Sequence, residues 1–180
     1  FLTHPGTEDR IRYLDGLIHV RYTQKGAEDF FGKLGRVQAI LVLADKEPGP
    51  AFKYFENKLT ASPKDIDALY GASVALARLG KNEQAAASFR KVLNAAPNDL
   101  DALREFGIMY FNMRKMSEAE FYLKKAYAVN DGDPQTILYL GKCYEESERF
   151  REALDLYRKY QQKNAKETNI YYNLAMMYGR

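Results

Sequence analysis

The feature that most constrains this chain is a 34-residue period in its side chains. Pro63 and Pro97 lie 34 residues apart, and each closes a stretch with helical apolar spacing. Four columns recur with the same step: Ala51, Ala85, Ala119 and Ala153; Phe55, Phe89, Leu123 and Tyr157; Ala39, Ser73, Gly107, Gly141 and Ala175; and Val42, Leu76, Tyr110, Tyr144 and Tyr178. A fixed period of this length predicts copies of one supersecondary unit stacked on each other.

The columns predict helical hairpins. A small residue lets two antiparallel helices approach closely, and the bulky residue beside it fills the space around their crossing. Turn residues agree with this register: Gly80-Lys81-Asn82 falls inside a repeat and Asp131-Gly132-Asp133-Pro134 falls between two repeats. We therefore expect an all-α solenoid, wound as a right-handed superhelix, with repeats at 32–65, 66–99, 100–133 and 134–167 and a partial repeat at 168–180.

The order small, bulky, small, bulky and then Pro at this period resembles the tetratricopeptide repeat, a helix-turn-helix unit. The resemblance implies a protein-interaction domain in which the first helix of each repeat lines a groove. Its fifth, ninth and twelfth positions supply the candidate binding residues, which are Arg36, Tyr70, Val74, Arg104, Ile108, Phe111, Leu138, Lys142 and Glu145.

This groove is mainly apolar, which predicts an amphipathic helix or an extended apolar segment as its partner. Arg104 is expected to fix the orientation of that partner. No Asn occupies the ninth position, so a clamp for a peptide carboxylate is not expected. The alternative is that several of these side chains merely pack against the neighbouring repeat.

Residues 1–31 do not follow the repeat. Thr7 can cap a helix, and Ile11, Leu14, Leu17, Ile18 and Tyr22 give that helix one apolar face. We expect residues 1–31 to hold a linker and a capping helix that packs on the first repeat. The chain starts at Phe1, and residues 171–178 are predicted to form a first helix with no second helix after it, so we expect a longer protein in both directions.

The stretch from Thr3 to Ile11 resembles the T-H-P-x-T-x-x-R-I segment of bacterial zinc metallopeptidases related to the CAAX prenyl endopeptidases. The resemblance implies that residues 1–31 include the end of a peptidase domain whose zinc-binding H-E-x-x-H helix lies upstream. His4 is then a candidate second-site residue near that zinc. The parent protein would act in the periplasm or at the cell envelope, and its peptidase domain could itself occupy the groove. The alternative is a free-standing adaptor in a secretion or envelope assembly complex.

Composition argues against several other classes. The 27 basic and 24 acidic side chains leave a net charge of +3 without a long basic run, so nucleic acid is not an expected partner. No apolar run reaches the roughly 18 residues of a membrane span. The single cysteine and two histidines form no known catalytic or metal-binding motif, so we expect no catalytic residue, metal or cofactor in this chain.

Overall fold

The computed structural model describes residues 34–163, and this part of the chain contains eight α-helices and no strand. The helices are α1 Leu34–Asp45, α2 Pro48–Ala61, α3 Ile66–Arg78, α4 Asn82–Ala95, α5 Leu100–Asn112, α6 Met116–Val129, α7 Pro134–Glu146 and α8 Phe150–Lys163. The predicted all-α helical-repeat fold is confirmed. Helices α3, α5 and α7 begin at residues 66, 100 and 134, where the period places the starts of repeats.

The same cap starts the first helix of three successive repeats. The side chains of Asp65, Asp99 and Asp133 accept hydrogen bonds from the backbone N–H groups of Ala68, Ala102 and Thr136 at 2.9, 3.0 and 2.8 Å. Each bond satisfies one of the N–H groups that a helix start leaves without an intrahelical partner. The three aspartates follow one another at steps of 34 residues. They form a further column with this period, in addition to the four columns that predict the fold.

A common turn also joins the two helices of these repeats. Gly80, Arg114 and Glu148 occupy the same repeat position and have positive φ angles of 72°, 59° and 57°. After each, a backbone N–H reaches back across the helix end: Lys81 N to Leu76 O, Lys115 N to Tyr110 O and Arg149 N to Tyr144 O, at 2.8–3.0 Å. These are Schellman turns, so the turn at Lys115 has the same form as the glycine-containing one.

Small residues permit close helix approach, as the columns predict. A Cβ atom added at Gly107 would lie 2.7 Å from Leu123 Cγ, and one added at Gly141 would run into the Tyr157 ring. Leu123 and Tyr157 are fully buried. The hairpins α5–α6 and α7–α8 therefore close on a glycine of the first helix and a large side chain of the second.

The described chain separates into two compact bodies that divide between Ser88 and Phe89, within α4. In the N-terminal body, α1 and α2 both pack on α3, and the Phe55 ring lies against Gly71. In the C-terminal body, the buried Phe106 ring packs at 5.0 Å from Phe89 and 4.2 Å from Tyr122, measured between ring centroids. Each body thus has its own aromatic contacts.

Some predictions concern parts of the chain outside the described residues. These are the linker and capping helix of residues 1–31, the candidate His4 and the partial repeat 168–180. In residues 34–163, no helix combines the length and apolar character needed to cross a membrane.

Candidate protein-binding surface

The predicted binding residues of the N-terminal body lie inside the fold. Arg36, Tyr70 and Val74 are only 7%, 2% and 3% exposed. The Arg36 guanidinium carbon lies 4.0 Å from the centroid of the Tyr70 ring, and Arg36 Nε donates a hydrogen bond to Asp67 Oδ1 at 2.9 Å. Because Arg36 lies over the Tyr70 ring and is itself held by Asp67, Arg36 and Tyr70 present almost no area to a partner. Val74 is equally buried.

Arg104 is also held within the fold. Its Nη1 donates to Asp133 Oδ1 at 3.1 Å and its Nη2 donates to Asp101 Oδ1 at 2.8 Å, while Glu105 Oε1 lies 3.8 Å from Nε. The other oxygen of Asp133 accepts from the Thr136 backbone and hydroxyl. A partner carboxylate would have to displace these bonds, so Arg104 links α5 to the start of α7 instead of offering a ready anion site.

Glu145 accepts a hydrogen bond from the hydroxyl of Tyr157 at 2.8 Å. The Tyr157 ring is fully buried. Burial raises the pKa of Tyr157, and its hydrogen bond to Glu145 raises the pKa further, so the phenol stays neutral and remains the donor. One oxygen of the Glu145 carboxylate is thereby used to fix a core side chain.

The remaining predicted residues are partly exposed on α5 and α7, together with one residue that the sequence positions missed. Ile108, Phe111, Leu138 and Lys142 are all half-buried, and so is Tyr139. The Phe111 and Tyr139 rings meet edge to face with centroids 5.5 Å apart, and Lys142 Nζ lies 5.2 Å from the Tyr139 centroid. We call these five residues the aromatic–lysine surface.

Tyr139 occupies the sixth repeat position, which is not among the positions taken to line the groove. The sequence could have indicated Tyr139 through its spacing, because Tyr139 and Lys142 are three residues apart and therefore share one face of a helix. The binding role of all nine predicted residues stays a prediction. The structure adds which of them are accessible and which are engaged in the fold.

No group of three potential ligands among His, Cys, Asp and Glu could hold a metal ion in residues 34–163. Cys143, on α7, has no exposed surface. Burial raises the pKa of its thiol to about 12, and the nearby carboxylates of Glu120 and Glu146 add to the shift. Only the thiolate is reactive, so a buried thiol with a raised pKa contributes to packing and does not react readily.

We expect Cys143 to react very slowly with Ellman's reagent in the folded protein at pH 8. Its raised pKa makes the thiolate fraction about a thousand-fold smaller than that of a free cysteine with a pKa near 8.5. Burial slows the reaction further. The rate should rise to that of a free thiol in denaturant. A native rate within about ten-fold of the denatured rate would show that the thiol is accessible.

The sequence between residues 42 and 106 matches the family model of the tetratricopeptide repeat. The matched stretch runs from α1 into α5 and includes the hairpin of α3 and α4. The 34-residue period continues beyond this stretch through α8, with the same cap and turn columns.

Solved structures of tetratricopeptide-repeat proteins share the fold. TTC0263, a thermophilic protein of Thermus thermophilus, matches with a TM-score of 0.72 and 19% identity, over 97% of this chain and 91% of that one. MamA from Desulfovibrio magneticus RS-1 matches with a TM-score of 0.66 and 25% identity, over 81% and 82% of the two chains.

A third structure is YrrB, described as a tetratricopeptide-repeat protein with an unusual peptide-binding site. It matches with a TM-score of 0.62 and 19% identity, over 86% of this chain and 83% of that chain. No curated protein matches the sequence. The resemblance to zinc metallopeptidases therefore rests on the Thr3–Ile11 segment.

Proposed function

We propose that this chain is a noncatalytic tetratricopeptide-repeat module that binds an apolar or amphipathic segment of a protein. The observation that carries the proposal is the aromatic–lysine surface on α5 and α7. It combines partly exposed aromatic and aliphatic side chains with one cation, which is the composition of peptide-binding surfaces. The similarity to YrrB supports the same type of partner.

The contacts on this surface indicate the chemistry of the bound segment. Phe111 and Tyr139 already meet edge to face, so they present two fixed ring surfaces to an apolar anchor. The Lys142 ammonium group lies over the Tyr139 ring of this pair. Arg104 is engaged by Asp101 and Asp133, so we assign recognition of an acidic group in the partner to Lys142 instead.

The finer proposal is that this module recruits or orients protein substrates for an attached zinc metallopeptidase of the periplasm or cell envelope. The Thr3–Ile11 resemblance supports it. Zinc would then be the cofactor of the attached domain, with His4 near that zinc, and the peptidase domain would be a second candidate occupant of the surface. The test is the gene upstream of Phe1, where an H-E-x-x-H motif is expected.

A free-standing adaptor in a secretion or envelope assembly complex is the second candidate. The match to TTC0263, which is described as a thermophilic tetratricopeptide-repeat protein, supports this candidate. Absence of an H-E-x-x-H motif from the upstream gene would leave this candidate in place. Both candidates require the same protein-binding surface.

To test the surface, a displayed library of amphipathic peptides can be selected against the 180-residue chain and the selected peptides titrated by calorimetry. We expect Phe111→Ser combined with Tyr139→Ser to weaken binding about 100-fold, because two truncated aromatic anchors each cost more than about 1 kcal/mol. The half-buried positions should keep the helical circular dichroism close to that of the parent.

The matched control is Phe121→Ser, which removes an exposed ring from α6, the second helix of the α5–α6 hairpin. We expect this variant to bind the selected peptides as the parent does. If the control loses as much affinity as the double variant, or if the double variant binds normally, then the aromatic–lysine surface is not the binding site.

A further inference from the structure

A basic pair repeats on the second helices of three successive repeats. The pairs stand at the same two positions of α4, α6 and α8, each 34 residues from the next: Arg90-Lys91, Lys124-Lys125 and Arg158-Lys159. All six side chains are exposed. The corresponding residues of α2 are Glu56 and Asn57, so the pattern is confined to the C-terminal body. We call these six residues the basic ladder.

Contacts within the C-terminal body bring the three helices of the ladder together. The guanidinium of Arg90 on α4 lies near the hydroxyl of Tyr122 on α6, where it partly offsets the rise that burial causes in the Tyr122 pKa. Arg149 donates to Glu120 on α6 at 2.8 Å and also pairs with Glu152 on α8. Neighbouring second helices are therefore linked, and the basic pairs lie at successive steps along one side of this body.

Three lysines of the ladder carry charge that the fold does not neutralise. In residues 34–163, Lys91, Lys125 and Lys159 form no ion pair, whereas Lys124 pairs with Glu120 at 2.6 Å. The acidic residues of α6 and α8 are Glu118, Glu120, Glu152 and Asp155, all nearer the N-terminal ends of their helices. The positive charge is thus concentrated in the second half of each helix.

An exposed aromatic ring lies beside the ladder. Phe121 is 52% exposed, although the same repeat position holds Lys53, Ala87 and Asp155 in the other second helices. Lys125 Nζ lies 4.4 Å from the Phe121 ring centroid. Two turns further along α6, Val129 is 42% exposed. This side therefore combines several cations with two exposed apolar side chains.

We propose that the basic ladder docks this module on an anionic lipid surface, with Phe121 inserted among the headgroups. Exposed Lys and Arg around one or two apolar side chains are the composition of peripheral membrane contacts. Lipid headgroups diffuse laterally, so they can match fixed cations on three helices without a partner of defined spacing. A surface that binds a nucleic acid strand typically offers several aromatic rings on which bases stack. Helix α6 has a single exposed ring beside these pairs, so lipid is the better match.

This docking leaves the aromatic–lysine surface available. That surface belongs to the first helices α5 and α7, whereas the basic ladder belongs to the second helices. A module of this kind can hold a protein segment while its other side rests on the membrane. The two activities have different residues, so either one can fail without the other.

The test is flotation of the 180-residue chain with vesicles of phosphatidylcholine, alone or mixed with phosphatidylserine. We expect binding to the mixed vesicles only, and weaker binding as salt is raised. Replacing Lys91, Lys125 and Lys159 by Gln should weaken binding about 100-fold at low salt, because each lysine near an anionic surface contributes roughly five-fold. The matched control replaces the exposed Lys64, Lys81 and Lys115 by Gln and should retain binding.

Insertion of Phe121 into the lipid can be measured separately by tryptophan fluorescence, because the chain contains no Trp of its own. We expect the emission of Phe121→Trp to shift to shorter wavelength with the mixed vesicles and to stay constant with phosphatidylcholine. The control Phe111→Trp, on the aromatic–lysine surface, should not shift.

Equal loss in both lysine variants, equal binding to neutral vesicles, or an unshifted Phe121→Trp would overturn the proposal. So would binding of single-stranded DNA or polyglutamate by a chain that does not bind the mixed vesicles.

Discussion

Replacing Phe106 by Ala is expected to lower the free energy of unfolding by about 3–5 kcal/mol, because truncating a buried aromatic side chain leaves a cavity in addition to the lost apolar burial. Phe106 has no exposed surface and packs against Phe89, Tyr110 and Tyr122. Those three rings come from α4, α5 and α6. Urea denaturation followed by circular dichroism measures the change.

The control is Phe121→Ala, which removes the same side chain from an exposed position on α6. Its effect should stay below about 1.5 kcal/mol, because Phe121 is half exposed and loses one edge-to-face contact with the Tyr122 ring. If Phe106→Ala and Phe121→Ala destabilise the protein equally, the ring cluster around Phe106 is not the core of the C-terminal body. A loss for Phe106→Ala below about 1 kcal/mol would lead to the same conclusion.

The second large effect is expected from Gly107→Ala, which adds one methyl group where α5 meets α6. The new Cβ would lie 2.7 Å from Leu123 Cγ and 3.2 Å from the Leu123 backbone nitrogen. Rotation of the Leu123 side chain cannot remove the second contact, so the helices must separate. We expect a loss of about 1–3 kcal/mol from overpacking, reduced by up to about 1 kcal/mol because Ala favours a helix over Gly.

Gly49→Ala is the matched control, since it makes the same change near the start of α2. In the described part of the chain, a Cβ at Gly49 would meet no atom within 4 Å apart from those of its chain neighbours and of its own helix backbone. Ala favours a helix over Gly, but Pro50 disfavours the helical conformation of a preceding residue that carries a Cβ, so we expect a change within about 1 kcal/mol. A clear loss for Gly107→Ala beside a small change for Gly49→Ala in thermal unfolding is the expected result. A stabilising Gly107→Ala would refute the close approach of α5 and α6.

The fold was predictable because several independent signals share one period. Small residues, bulky residues and the prolines each give the same register, so an error in one column is corrected by the others. The turn after α5 was harder to predict, because Arg114 gives no sign of a left-handed conformation that favours glycine. Its form follows from backbone hydrogen bonds that are common to the three turns.

The candidate site was only partly predictable, since repeat position does not decide accessibility. Tyr70 and Leu138 share the fifth position, yet Tyr70 is covered by the Arg36 guanidinium while Leu138 remains half-buried. The partners of Arg104 and Glu145 depend on side chains 29 and 12 residues away, which a fixed list of groove positions does not include. Their engagement in the fold becomes visible only with the distances between helices.

The double role of Asp133 bears on how such a chain can change during evolution. One carboxylate oxygen holds Arg104 of the preceding repeat, and the other caps the helix of the following repeat. Deleting or duplicating a block that ends at this boundary would separate two bonds made by one side chain. The repeats therefore cannot be exchanged one by one without loss. Rearrangements are tolerated best when the repeat before and the repeat after such an aspartate move together with it.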